Sequence, residues 1–413
     1  MDTLRHLEKI LTADRIQVFL HLAPPIYLIG VLFFYVDRGL IQDPDHGLVL
    51  LADYFCYWLA SAVALSGSPL DVYNNDVFFS FAPAFFEAEG FLPFMYPPTY
   101  LLAVLPFGLF SAWVSHILFF VLSLALLAYV GRLIWGSWTG ALIVCAFPAV
   151  IGVLIHGQNS FLTTALLGGA LVALRAEKPV LAGLLIGCLT FKPQIGFLIP
   201  FVLLAGRYWA TFGTAVITTL VLAALPAAAF GPEIWSAFLE QSKFAATLMN
   251  DELVEYWKYL SPFAAFRMLG VPHGIAMAAQ VLVGCACLVW TVRIWWSDAP
   301  FDLKAAALVS ASVLTSPYML TYEYVLLAVP MLFLWRFAAD KELLAYDTLL
   351  YMLAMAFILS ARAIADHTGI PVGALPALIL LAQTHRYWRQ WRQDNAEERL
   401  AVTPSAASPA PGG

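Results

Sequence analysis

Apolar runs recur along almost the whole chain, separated by short polar breaks. Those at about 17–37, 113–131, 137–155, 160–174, 179–191, 193–205, 212–230, 273–296, 304–316, 322–337, 344–361 and 369–384 each predict a membrane helix. A span needs about 20 apolar residues, or fewer where a helix lines a cavity or meets another at a break. The pattern predicts an all-α polytopic membrane protein with about twelve spans and both termini on one side. A further apolar stretch, 97–112, is read as a short embedded helix that returns to the outer side. Counting it as a full span inverts everything downstream.

The breaks define two long outer loops, 38–96 and 231–272. The first carries seven acids against Arg38 alone, and the second holds five acids, while Glu177 is the only acid from 90 to 232. The N-terminal segment has mixed charges, and the 17–36 run that follows is span-length and lacks a small-residue cleavage site, so it is read as an uncleaved first helix. Residues 1–392 form the expected transmembrane domain. The Pro/Ala/Ser-rich tail, 393–413, is expected to be a disordered cytoplasmic segment.

Composition agrees. Of 413 residues, 62% are hydrophobic and 12% charged, where a soluble domain carries about 25% charged. The formal charge of −6 matters less than its placement. In the twelve-span scheme the outer side keeps six of the 21 lysines and arginines, namely Arg38, Lys192, Lys243, Lys258, Arg267 and Arg362. The other fifteen fall inside, the bias of the positive-inside rule. This orientation suits a cell (plasma or inner) membrane. No basic patch with interleaved aromatics points to nucleic acid. Five scattered cysteines without C-x-x-C spacing read as packing residues, and no metal or cofactor is expected.

Few polar residues interrupt the apolar runs. Asp53 opens an aromatic stretch, DYFCYWLASAVALSG. It reads as a helix N-cap or as a general base whose basicity is raised by apolar neighbours. His156, Gln158 and Asn159 form a polar island, HGQNS, that needs hydrogen-bond partners or a ligand. Lys192 precedes Pro193, which breaks the helix there. A lone cation beside lipid is a functional candidate, with phosphate as its anion, unless it snorkels to the interface. Glu323, following Tyr322, is a candidate by the same rule, or a solvated carboxylate at a helix N-terminus.

An ordered series of motifs runs from about 45 to 335: D-x-x-x-YW with SGSPLDVYN, FMYPPTYLLAVLPFGLF, HGQNSFLTTALLGGALVAL, KPVLAGLLIGCLTFKPQ and TSPYMLTYEYVLLAVP. In this series the chain resembles the integral-membrane glycosyltransferases of family 87, of the GT-C class. The last block reads Tyr322–Glu323 where other members have a His pair, and is similar to a branch with a Tyr–acid pair. The resemblance implies a GT-C-like helical bundle and an inverting, metal-independent transfer at the outer face. It implies a polyprenyl-phosphate-linked sugar donor, often mannose, and a glycolipid or glycan acceptor of the cell envelope. The base in such enzymes is the aspartate of the first outer loop, here Asp53. Lys192, His156, Gln158, Asn159, Tyr322 and Glu323 are then the expected substrate-binding residues. The alternative is a transporter or flippase of lipid-linked sugars without chemistry.

Overall fold

The computed structural model describes residues 13–37, 52–81, 93–250, 254–339 and 344–402. They form helices joined by tight turns, and the only extended pairing among them is one antiparallel bridge between Tyr259 and Leu320.

Helices stand where the apolar runs place them. The runs at 17–37, 113–131, 212–230, 273–296 and 344–361 correspond to Ala13–Asp37, Ala112–Trp135, Trp209–Phe230, His273–Trp296 and Asp347–Thr368. The last four are long and apolar enough to cross a membrane. Ala112–Trp135, with 24 residues, is about 36 Å long, against about 30 Å of hydrocarbon.

Other runs are broken by proline. The 137–155 run is a pair, Trp138–Cys145 and Ala149–His156, bent by 60° at Pro148. The 179–205 region is divided at Lys192–Pro193 into Pro179–Cys188 and two short helices, Pro193–Gly196 and Ile199–Ala205. The 322–337 run begins as a tight 3-10 segment, Thr321–Leu327, before the helix Ala328–Ala338. Among the described residues four helices are long and apolar enough to cross a membrane, or five if the bent pair is one span.

The 97–112 stretch is a short helix, Pro98–Val104, and a 3-10 turn, Leu105–Leu109. Together they extend about 20 Å, less than the hydrocarbon thickness. The turn packs against Ala52–Leu65. A Cβ on Gly108 would lie 2.8 Å from that of Ser61, so the close crossing requires glycine.

The stretches 38–96 and 231–272 hold helices of their own, Ala52–Leu65 in the first and Glu233–Asn250 and Pro262–Met268 in the second. The tail expected from 393 starts on a helix, because Leu375–Val402 runs on through it. Alanines and charged residues sustain that helix after the apolar run ends. Residues 403–413, like 38–51 and 82–92 of the first loop, lie outside the described residues.

Small residues fill the centre. Phe301–Thr315 buries Ala305, Ala306, Ala307, Ser310, Ala311 and Ser312 and packs on His273–Trp296, Ala328–Ala338 and Leu375–Val402. Such residues let helix backbones approach closely, which drives association when lipid is as apolar as the interface. The outer helices expose large apolar side chains, among them Val216, Ile217, Leu220 and Val221 of Trp209–Phe230. In water such a surface would aggregate; against lipid it is the solvated face.

Candidate active site

Asp53 stands in the first turn of Ala52–Leu65, just inside the helix rather than at its cap. Its carboxylate reaches across the bundle instead of capping: Gln158 Nε2 donates to Oδ2 at 2.7 Å. The other oxygen, Oδ1, has no hydrogen bond to any described residue. Gln158 arrives there because Ala149–His156 ends on Gly157 in the left-handed region, φ 72°, a conformation that favours glycine. Ser160–Arg175 then begins at once. The reversal leaves Gln158 and Asn159 buried between two helix ends.

Gln158 is held from its other side by two tyrosines. Tyr57 donates to Oε1 at 2.8 Å and Tyr96 at 3.1 Å, and the two hydroxyls lie 2.8 Å apart. Their rings meet edge to face at 5.2 Å. Tyr100, beside buried Asn159, packs on both at 5.1 and 4.7 Å. The Asp53 carboxylate therefore sits against an aromatic wall.

Lys192 lies where the helix breaks and is buried, joined to buried Glu323 in an ion pair. It is therefore not a lone cation, and Glu323 is not a solvated helix-end carboxylate. The pairing was hidden by 131 residues of separation. Pairing is the usual way a chain tolerates buried charges. Glu323 Oε2 has no partner among the described residues. Tyr322 lies against the same group, its ring 6.0 Å from Lys192 Nζ and 6.0 Å from the His156 ring.

His156 adds a cation the sequence reading had counted only as outer charge. Arg362, on Asp347–Thr368, donates to its Nε2, and Nδ1 meets the Gly152 carbonyl at 2.8 Å. An imidazole that accepts at one nitrogen and donates at the other is neutral. Arg362 also covers the Trp257 ring at 5.0 Å, so it ties the 231–272 stretch to the polar island at His156. Its neighbour Lys258 pairs with Glu255 at 2.5 Å.

These charges converge on Asp53. Burial pushes its carboxyl above the ordinary value of 3.8, while the Gln158 hydrogen bond and the positive charges of Lys192 and Lys258 pull it the other way. The direction suits a group that must accept a proton.

All seven expected residues are thus found in one region, joined by direct contacts or through the field at Asp53. Tyr57, Tyr96, Lys258 and Arg362 were missed. Tyr57 was within reach, four residues after Asp53 and so on the same helix face. Arg362 follows directly on the apolar run 344–361, within the helix Asp347–Thr368, where a cation beside lipid is a functional candidate.

Among the described residues no three His, Cys, Asp or Glu side chains gather to hold a metal ion. A groove of about 800 Å³ lies beside the centre, lined by Asp71, Asp76, Glu240 and Gln241. Tyr73 lines it too and bonds the Tyr96 carbonyl at 3.2 Å.

No curated protein and no solved structure matches the chain. A family model does, that of glycosyltransferase family 87, over residues 94–317. The match holds the polar island and Lys192, and stops just short of Tyr322–Glu323. Asp53 and Arg362 lie outside it and join the site through geometry alone. The match covers more than half of the chain, and this membrane protein belongs to glycosyltransferase family 87, whose activity is glycosyl transfer.

Proposed function

We propose that the protein transfers a hexosyl unit, mannosyl in the first instance, from a polyprenyl-phosphate-linked donor to a glycolipid or glycan acceptor of the cell envelope, with inversion. The observation that carries this reading is Asp53. It is a half-buried carboxylate with one oxygen held by Gln158, the other without a donor among the described residues, and its basicity raised by burial. The acceptor hydroxyl gives its proton to Asp53 as its oxygen bonds to C1 of the sugar. The C1–O bond to phosphate breaks, and the electron pair leaves on the lipid phosphate. Because phosphate departs readily, no second acid is needed, unlike in glycosidases.

Lys192 meets that phosphate. An ammonium has three N–H donors and Glu323 takes one, so a second contact does not require the pair to break. His156, Asn159, Tyr322 and Glu323 shape the wall around the donor. The reaction needs no metal, so a chelator is expected to leave turnover unchanged.

The site faces outward in a twelve-span cell-membrane protein, supported by its charged contacts. Arg175 and Arg336 flank Asp302 at 3.6 and 3.9 Å, and Arg386 meets Asp347 at 2.7 Å, all groups on the inner side of that topology. Asp53, Lys192, Lys258, Glu323 and Arg362 are all outer. Reporter fusions after Arg132, Arg175 and Arg207 should read cytoplasmic and one near residue 250 external; an external signal after Arg132 would overturn this topology.

A transporter or flippase of lipid-linked sugars would also carry polar groups in the membrane, and differs in leaving the sugar on its carrier. The deciding experiment supplies the purified protein, in vesicles, with polyprenyl-phosphate [³H]mannose and an envelope glycolipid extract. Label should move to the extract, and Asp53→Asn should stop it. Label that crosses the bilayer while remaining on its polyprenyl carrier would overturn the reading in favour of a flippase.

A further inference from the structure

The contacts around Gln158 allow a count of protons. Three oxygens, Tyr57 Oη, Tyr96 Oη and Gln158 Oε1, lie within 2.8–3.1 Å of one another. The two hydroxyls bring two protons and the amide oxygen none. If both protons stay within the triangle, Oε1 receives at least one: the hydroxyls cannot each donate to the other, so one must donate to the amide.

The opposite end of Gln158 faces a group that, when ionised, can only accept. Nε2 at 2.7 Å from Asp53 Oδ2 is a charge-assisted hydrogen bond, among the stronger kinds. A flipped amide would set two acceptor oxygens against each other there and point its N–H groups at hydroxyls that already have donors to spend. A hydroxyl could accept such an N–H, but its own proton would then lack an acceptor in the triangle, so one phenol is enough to disfavour the flip. Two make the lock redundant.

We propose that Tyr57 and Tyr96 are positioning residues for the transfer: together they fix the Gln158 amide with Nε2 on Asp53 Oδ2, and so assign the acceptor's proton to Oδ1. This rests on the reading of Asp53 as the base. Gln158 thereby becomes a positioning residue rather than a substrate ligand. The lock spans three separate parts of the chain, the Ala52–Leu65 helix, the segment before Pro98 and the turn at Gly157, so base orientation depends on their assembly.

The test is the pH profile of kcat/KM with the full-length protein in vesicles. The acid limb reports ionisation of the base. The groups facing Asp53 are Gln158, His156, Lys192 and Lys258, Cys56 and Tyr57 on its own helix, and Tyr96 and Tyr322. The substitutions leave the charged ones in place. Tyr57→Phe and Tyr96→Phe each keep the ring packing and leave one hydroxyl to hold the amide. Each should move the acid limb by less than about 0.3 pH unit, the remaining phenol still donating. The double variant frees the amide to turn, and the carboxylate loses its donor. Its acid limb should rise by about one to two pH units, with turnover recovering at high pH. Such non-additivity is the signature of two groups sharing one task.

A purely structural role would lower activity equally at every pH, and a limb unmoved in the double variant overturns the proposal. So does a single variant that shifts as far as the double. If the double variant fails to fold, Gln158→Glu takes its place. A second carboxyl beside Asp53 should raise the limb at least as far, and an unchanged limb overturns the proposal. An inactive Asp53→Asn with an unshifted double variant removes only this proposal; an active Asp53→Asn removes the base reading and this one together.

Discussion

Two aspartates stand in the first turns of two helices, and the difference between them separates structure from chemistry. Asp347 opens Asp347–Thr368 and is buried, with both oxygens engaged. Arg386 Nη1 donates to Oδ1 at 2.7 Å; the Tyr387 hydroxyl and, at 3.0 Å, the Leu344 amide donate to Oδ2. A fully buried carboxylate with a donor on each oxygen and an adjacent guanidinium ties Leu375–Val402 to the start of its neighbour and is closed to a ligand. Asp53 is half-buried and, among the described residues, has one bonded oxygen and nearby cations, Lys192 and Lys258, that do not bond it. In sequence both are acids at the margin of an apolar run. Only the count of their partners distinguishes a clamp from a base.

The widest separation is expected from the same substitution at both sites. Asp53→Asn keeps size and helix-start chemistry but cannot take a proton. Turnover should fall by about 10²–10⁴-fold with an unchanged thermal unfolding temperature. An Asn variant that keeps more than about a tenth of wild-type turnover would remove Asp53 as the base. Glu323 would then be the next acid to examine.

Loss of the Lys192 ammonium comes next. Lys192→Ala strands Glu323 in a buried place, so the informative variant is Lys192→Ala with Glu323→Gln. Donor KM should rise by about 10–100-fold, as expected for removing a charge-assisted hydrogen bond, while Lys192→Arg recovers part of it. Unchanged donor affinity in the paired variant would show that the phosphate binds elsewhere, with Arg362 as the nearest candidate.

The smallest effect on activity belongs to Asp347→Asn. It loses charged hydrogen bonds worth about 1.5–3 kcal/mol, so the unfolding temperature should fall, yet turnover per folded molecule should stay within about twofold of wild type. A large loss of turnover at full folding would mean that the two aspartates are coupled and that the clamp takes part in the reaction.

Much of the architecture was legible in the sequence. Apolar runs mark helices because a backbone in lipid must satisfy its own hydrogen bonds. Prolines mark the breaks: Pro148 and Pro193 stand at the starts of the helices that follow them. Asp53, the HGQNS island, Lys192 and Tyr322–Glu323 were conspicuous because polar groups are costly there. Less legible was how much of each run is one continuous helix. Hydropathy records apolar content, whereas continuity depends on single residues at the breaks.

The sequence by itself therefore determined the class, the helix positions, the family and the polar residues that needed an explanation. It did so because composition and local backbone chemistry act over a few residues. The tertiary structure alone decided which of these residues meet. Gln158 reaches Asp53 across 105 positions, Lys192 reaches Glu323 across 131, and Arg362 reaches His156 across 206. No periodicity encodes such distances. They follow from the packing of small-residue helix faces and from the need of every buried charge to find a partner, both properties of the assembled bundle.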